Sequence, residues 1–131
     1  MKDENTTHFL EDQINLLLQE RFNIPSLYPF QRLVIQRIVE EDSEESNHEG
    51  SVVVLPTGGG KSLCFMLPSL LVEGITVLVY PLLSLMHDQI RRLKEVSIPY
   101  ICIQGGQSHQ ERNLLLEKLK TKEARILVTN A

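Results

Sequence analysis

Hydrophobic positions along this chain change period about a third of the way in. Phe9, Leu10, Ile14, Leu17 and Leu18 recur at helical spacing across residues 8–21, and Phe30, Leu33, Val34 and Ile38 form a second such stripe after Pro29. Recurrence at three and four residues predicts two amphipathic helices, with Phe22 to Tyr28 as a loop held by Pro25 within it and Pro29 after it. From residue 51 onward, short apolar runs alternate with helical segments. The pattern predicts strand 51–55, helix 61–72, strand 75–80, helix 84–95, strand 99–103, helix 108–121 and strand 125–129. Near-continuous apolar strands separated by helices of this length describe an α/β fold: a parallel sheet of about four strands, helices on both faces, right-handed crossovers. Pro68 falls inside the first crossover helix and is expected to kink it or end its first part.

With 131 residues, 42% hydrophobic and 23% charged, the chain has ordinary globular composition and room for about one domain. No apolar run reaches membrane-span length, and Met1-Lys2-Asp3-Glu4-Asn5 is not a basic region leading into an apolar one, so a cytoplasmic protein is expected. Cys64 and Cys102 stand alone in apolar segments, and His8, His48, His87 and His109 are scattered, which excludes a zinc site by spacing and favours buried free thiols. The net charge of −4 is uneven: residues 1–50 carry four basic and eleven acidic side chains, residues 51–131 nine basic and six acidic. The segment 40–50 is an acidic connector too polar to pack and without calcium-loop spacing. Arg91, Arg92 and Lys94, and Lys118, Lys120, Lys122 and Arg125, form two basic clusters that suit either phosphate contacts or solvated helix faces.

The densest chemistry lies at Pro56-Thr57-Gly58-Gly59-Gly60-Lys61-Ser62, between an apolar run and a helical segment. Glycines let successive backbone N–H groups turn inward, and the following helix adds unpaired donors and the positive end of its dipole. Lys61 supplies a mobile charge for the outer phosphates, and the Ser62 hydroxyl is placed to ligate magnesium. The general pattern G-x-x-x-x-G-K-[ST] has glycine where this chain has Leu55, a departure at the strand end, away from the phosphates. A nucleoside triphosphate with Mg²⁺ is the expected ligand.

Three further stretches join this loop, and together they resemble the RecQ family of superfamily 2 DNA helicases. Leu55 to Phe65 looks like that family's Walker A motif, Tyr80-Pro81-Leu82-Leu83-Ser84-Leu85-Met86-His87-Asp88-Gln89 its motif Ia, Pro29-Phe30-Gln31 its adenine-reading motif, and Ile126-Leu127-Val128-Thr129-Asn130 the start of motif Ib. The resemblance implies a RecA-like P-loop domain, incomplete here, over residues 22–131, preceded by an N-terminal helix over residues 1–21. It implies that Thr57, Gly58, Gly59, Gly60, Lys61 and Ser62 hold the nucleotide, with Lys61 carrying charge in the transition state, and that Gln31 reads the adenine edge. Where the family has an aromatic residue and an arginine, this chain has Ile24 and Tyr28; either packs on the base. Ser84, Gln89, Gly105, Gly106 and Thr129 are placed near a single DNA strand by the same resemblance. From the residues alone, Ser84 serves equally as a helix cap, Gln89 as a surface amide and Gly105-Gly106 as an ordinary turn. His87 stands where the family commonly has lysine, which weakens one cationic contact near neutral pH. Ser84, His87 and Asp88 do not make a hydrolytic triad, because on one helix they project side by side.

The resemblance implies 3′–5′ DNA unwinding for a whole motor. Asp-Glu-x-His, which in the family supplies the magnesium-linked aspartate and the water-preparing glutamate, is not among these residues. The expectation is therefore an N-terminal portion that binds ATP and hydrolyses it negligibly by itself, with an exposed sheet edge open to self-association. The rival expectation is a non-motor nucleotide-binding or interaction module derived from such a domain.

Overall fold

The computed structural model describes residues 4–43, 50–55 and 60–131, which separate into two compact units, Met1–Leu71 and Val72–Ala131. In the first, α1 (Glu4–Leu17) runs into a wider π-type turn over Leu18–Phe22. Asn23 ends it with φ 52, a left-handed conformation that asparagine tolerates, and Ile24 N–H returns to Leu18 O at 3.0 Å. Pro29 opens α2 (Pro29–Ser43), where a missing N–H costs nothing. The acidic segment was expected to be loop from residue 40. Instead Glu40 to Ser43 complete α2, whose last turn holds an Arg37–Glu41 pair at 2.8 Å, four residues apart. Residues 44–49 lie outside the described residues.

Ile14, Leu18, Leu27, Ile35, Leu63 and Leu67 form the core of this unit, joining α1, α2 and α3 (Leu63–Leu71). Each such burial stabilises by roughly 1.5–3 kcal/mol. Glu11 adds a polar tie, accepting from Arg32 and from Gln36 on α2. The α3 helix runs through buried Pro68 to Leu71, so the proline does not end it.

The expected strand 51–55 does not form. A strand exists through its ladder, and among the described residues none pairs with this segment, which leaves Val52 91% and Val54 87% exposed.

The second unit holds a parallel sheet of three strands, β1 (Thr76–Tyr80), β2 (Tyr100–Ile103) and β3 (Ile126–Asn130), in the order β1-β3-β2. Three, not about four, are therefore found among the described residues. Leu78, Val128 and Cys102 share one register row and hence one face, while Val77, Leu127 and Ile101 share the next row and the other face. Helix α5 (His109–Lys120) packs Leu115 and Leu119 on the Ile101, Ile103 and Leu127 side. Helix α4 (Leu83–Glu95), with Met86 and Leu93 buried, lies against β1 and β3. Val77 and Val79 on outer strand β1 stay more than half exposed.

Parallel strands end at a common edge. The loop after β1, the turn after β2 and the end of β3 therefore gather at one side of this sheet.

Candidate functional site

In the first unit the nucleotide-type residues converge on one buried amide. Gln31 is the third residue of α2 and is only 4% exposed. Its Oε1 accepts from Tyr28 N–H at 2.9 Å, and its Nε2 donates to Gly60 O at 3.3 Å. The first bond is half of a capping box, in which a Gln at the third helical position reaches back to the N-cap amide. The pattern Tyr28-Pro29-x-Gln31 carries that signal, which the motif reading passed over. Each amide atom keeps one further hydrogen-bonding site, an acceptor lone pair on Oε1 and a proton on Nε2.

Gly60 has φ 72, and a Cβ there would sit 2.3 Å from Gln31 Nε2, so any other residue is strained and displaces the Gln31 amide. The chain then winds into α3: Leu63 N–H bonds Gly60 O at 3.2 Å and Cys64 N–H bonds Lys61 O at 3.1 Å, before Met66 N–H closes on Ser62 O at 3.0 Å. Lys61 is exposed and Ser62 half-buried at this helix entry. A left-handed glycine leading into an exposed lysine and a helix N-terminus suits a polyphosphate with its magnesium. Thr57, Gly58 and Gly59 lie outside the described residues.

Ile24 and Tyr28 part company. Ile24 packs against the core of the first unit, while Tyr28 is 63% exposed with its ring stacked on Phe30 at 5.6 Å. Cys64 is buried beside the loop, its Sγ 3.8 Å from Gly60 O, and burial raises its pKa, as it does for half-buried Cys102; both thiols are free and neutral at pH 7. Among the described residues no cluster of acids, histidines and cysteines could hold a metal.

In the second unit, Ser84 is exposed in the first turn of α4, whose N-cap is Leu82 with no side-chain cap, so capping does not account for Ser84. Gln89 is half-buried on the same helix. Gly105 and Gly106 form the turn after β2, Gly106 with φ 85. Thr129 registers between Val79 and Ile103 near the end of β3. Ser84, Gly105, Gly106 and Thr129 thus lie at or beside the common strand-end edge. Of the basic clusters, Arg91 pairs with Asp88 at 3.2 Å and Lys120 with Glu117 at 2.9 Å, as solvated helix faces do. Burial raises the pKa of Tyr80, against a smaller lowering by Arg92.

A parallel α/β sheet preceded in the chain by a left-handed glycine, lysine and serine at a helix entry is the arrangement of P-loop α/β proteins. The family profile of DEAD/DEAH box helicases matches residues 28–131, and the chain belongs to that family. It is 46% identical over 76 residues to "ATP-dependent DNA helicase RecQ" of Synechocystis sp., covering 58% of this chain and 16% of the relative. To "Putative ATP-dependent DNA helicase Q1" of Caenorhabditis elegans it is 33% identical, covering 87% of this chain and 17% of the relative. The chain thus spans about a sixth of the length of these relatives. The crystal structure of DUF1998 helicase MrfA bound to DNA and AMPPNP superposes with a TM-score of 0.61 at 29% identity, over 90% of this chain and 16% of that one. The α/β helicase fold expected from the sequence is borne out, and no helix among the described residues is long and apolar enough to cross a membrane.

Proposed function

We propose that this chain is the N-terminal ATP-binding portion of a RecQ-like ATP-dependent DNA helicase. The observation that carries the reading is the bond from Gln31 to Gly60: it seats the amide of the adenine-type motif on the last glycine of the phosphate loop. Gln31 uses its remaining donor and acceptor on adenine, Tyr28 stacks on the base, Thr57, Gly58, Gly59, Gly60 and Lys61 hold the phosphates, and Ser62 binds Mg²⁺. Ile24 shapes the pocket from the core side. Magnesium held there would supply positive charge against the phosphates. At the strand-end edge of the sheet, Ser84, Gly105, Gly106 and Thr129, with Gln89, face a single DNA strand. The relatives named above, one of them a helicase solved with DNA, support that partner.

Exposed Val52 and Val54, with Val77 and Val79, support self-association of the isolated chain. Titration of the chain with a fluorescent ATP analogue and magnesium tests the nucleotide half of this reading. Saturable, magnesium-dependent binding competed by ATP is expected, and no binding contradicts it.

A further inference from the structure

The turn after β2 is held more firmly than its two glycines require. Gln107 spans it: Oε1 accepts from Gln104 N–H at 3.1 Å, and Nε2 donates to Cys102 O at 3.1 Å. Gly106 needs its positive φ, but Gly105 has an ordinary φ, and an added Cβ there would meet nothing within 4 Å. Neither conformation nor packing within the protein calls for glycine at 105, and the space beside it is open to an approaching molecule.

Arg112, on the first turn of α5, reaches back to the same turn. Its Nη2 donates to Gln104 O at 3.5 Å, a long bond, and its Nε is out of solvent contact with no acceptor. Among the described residues it has no carboxylate partner, unlike Arg32, Arg37 and Arg91. A half-buried arginine with no carboxylate partner among the described residues carries an uncompensated charge, and the part of its side chain still at the surface can meet an anion. The helix N-terminus beside it cannot, because Ser108 and Glu111 already close a capping box there: Glu111 N–H donates to Ser108 Oγ at 3.1 Å, and the Glu111 carboxylate accepts from Ser108 N–H at 2.6 Å. That carboxylate repels an anion from the helix end, and His109 completes the exposed first turn. The helix end is therefore closed to an anion, whereas Arg112, whose Nη2 reaches Gln104 O at the start of the turn, is not.

We infer that Arg112 is a backbone-phosphate contact for a DNA strand crossing the Gly105-Gly106 turn, with Gln107 as the positioning residue that fixes the turn beneath it. This rests on the reading of the strand-end edge as nucleic-acid-facing. A phosphate contact carries no base preference, so its loss weakens all sequences alike.

The test is fluorescence anisotropy of the full chain with a labelled oligothymidylate over a range of salt, alongside Mg-ATP binding by the same preparations. Arg112→Ala weakens DNA binding about tenfold and flattens the slope of log affinity against log salt by about 0.7, as for one single-strand phosphate lost. Lys118→Ala, at the far end of α5, changes affinity less than Arg112→Ala does. Arg112→Lys keeps the wild-type slope, and carries the test if the alanine variant does not fold: a slope flattened to the level of Arg112→Gln overturns the inference. Wild-type affinity and slope in Arg112→Ala overturn it too, while leaving the nucleic-acid reading intact. A wild-type chain that binds ATP but no DNA overturns both, leaving only the nucleotide reading.

Discussion

The side-chain amide of Gln31 donates to the main-chain carbonyl of Gly60 across 3.3 Å, joining positions 29 residues apart. One side chain thereby caps α2 and braces the entry to the phosphate-loop helix. A side chain at position 60 would displace that amide, since a Cβ at Gly60 would sit 2.3 Å from Gln31 Nε2.

Gly60→Ala should destabilise the first unit by about 1–3 kcal/mol, from left-handed strain at φ 72 together with the clash. Urea unfolding measures it. Gln31→Ala in the same chain should recover part of the loss, because it removes the clash but not the strain. Full additivity of the two changes would contradict the contact.

Gln31→Glu separates the two bonds. At neutral pH the carboxylate still accepts from Tyr28 N–H but cannot donate to Gly60 O. Leaving that carbonyl facing a carboxylate should cost about 1–3 kcal/mol and weaken Mg-ATP binding, while α2 persists by circular dichroism. Unchanged nucleotide affinity would show that the bond does not support the loop.

Most of the fold was legible because its elements are amphipathic or apolar over their full length. Val77 to Tyr80 and Ile126 to Val128 read as strands from their own residues, and they run parallel as expected. Val52 to Leu55 read as a strand on the same grounds, but a ladder needs a partner and local composition does not supply one. The acidic run hid the end of α2, since Glu40 and Glu41 are good helix formers and Arg37 reaches Glu41. At the site, resemblance singled out Gln31, Gly60, Lys61 and Ser62. It did not indicate that Gln31 is a capping residue or that Gln107 and Arg112 shape the turn at Gly105, because those roles depend on contacts across a fold.

Exposed Val52 and Val54 should make the isolated chain associate with increasing concentration. Sedimentation velocity should show the shift, and the paired change Val52→Lys with Val54→Lys should reduce it. A wild-type monomer with a sharp, cooperative unfolding transition would contradict this expectation.

The α5 cap should be acid-sensitive. Hydrogen bonds from the Ser108 backbone and side chain lower the Glu111 pKa below its ordinary 4.5. A lowered folded-state value means that the stabilisation is present above pH 4.5 and is lost as pH falls through the lower, folded value. Ser108→Ala should cost about 0.5–2 kcal/mol at neutral pH. Urea midpoints from neutral pH down past the carboxylate range should converge for wild type and Glu111→Gln; a gap that stays constant would contradict the assignment.

The loop ending in Gly60-Lys61-Ser62 is proposed to grip the phosphates of ATP, and isothermal titration of wild type and Lys61→Ala with Mg-ATP decides whether it does. Lys61 is exposed at the helix entry, so its removal should leave the fold and its thermal unfolding unchanged. Wild type should bind measurably and the alanine variant should not. Equal affinity in the two proteins would contradict it.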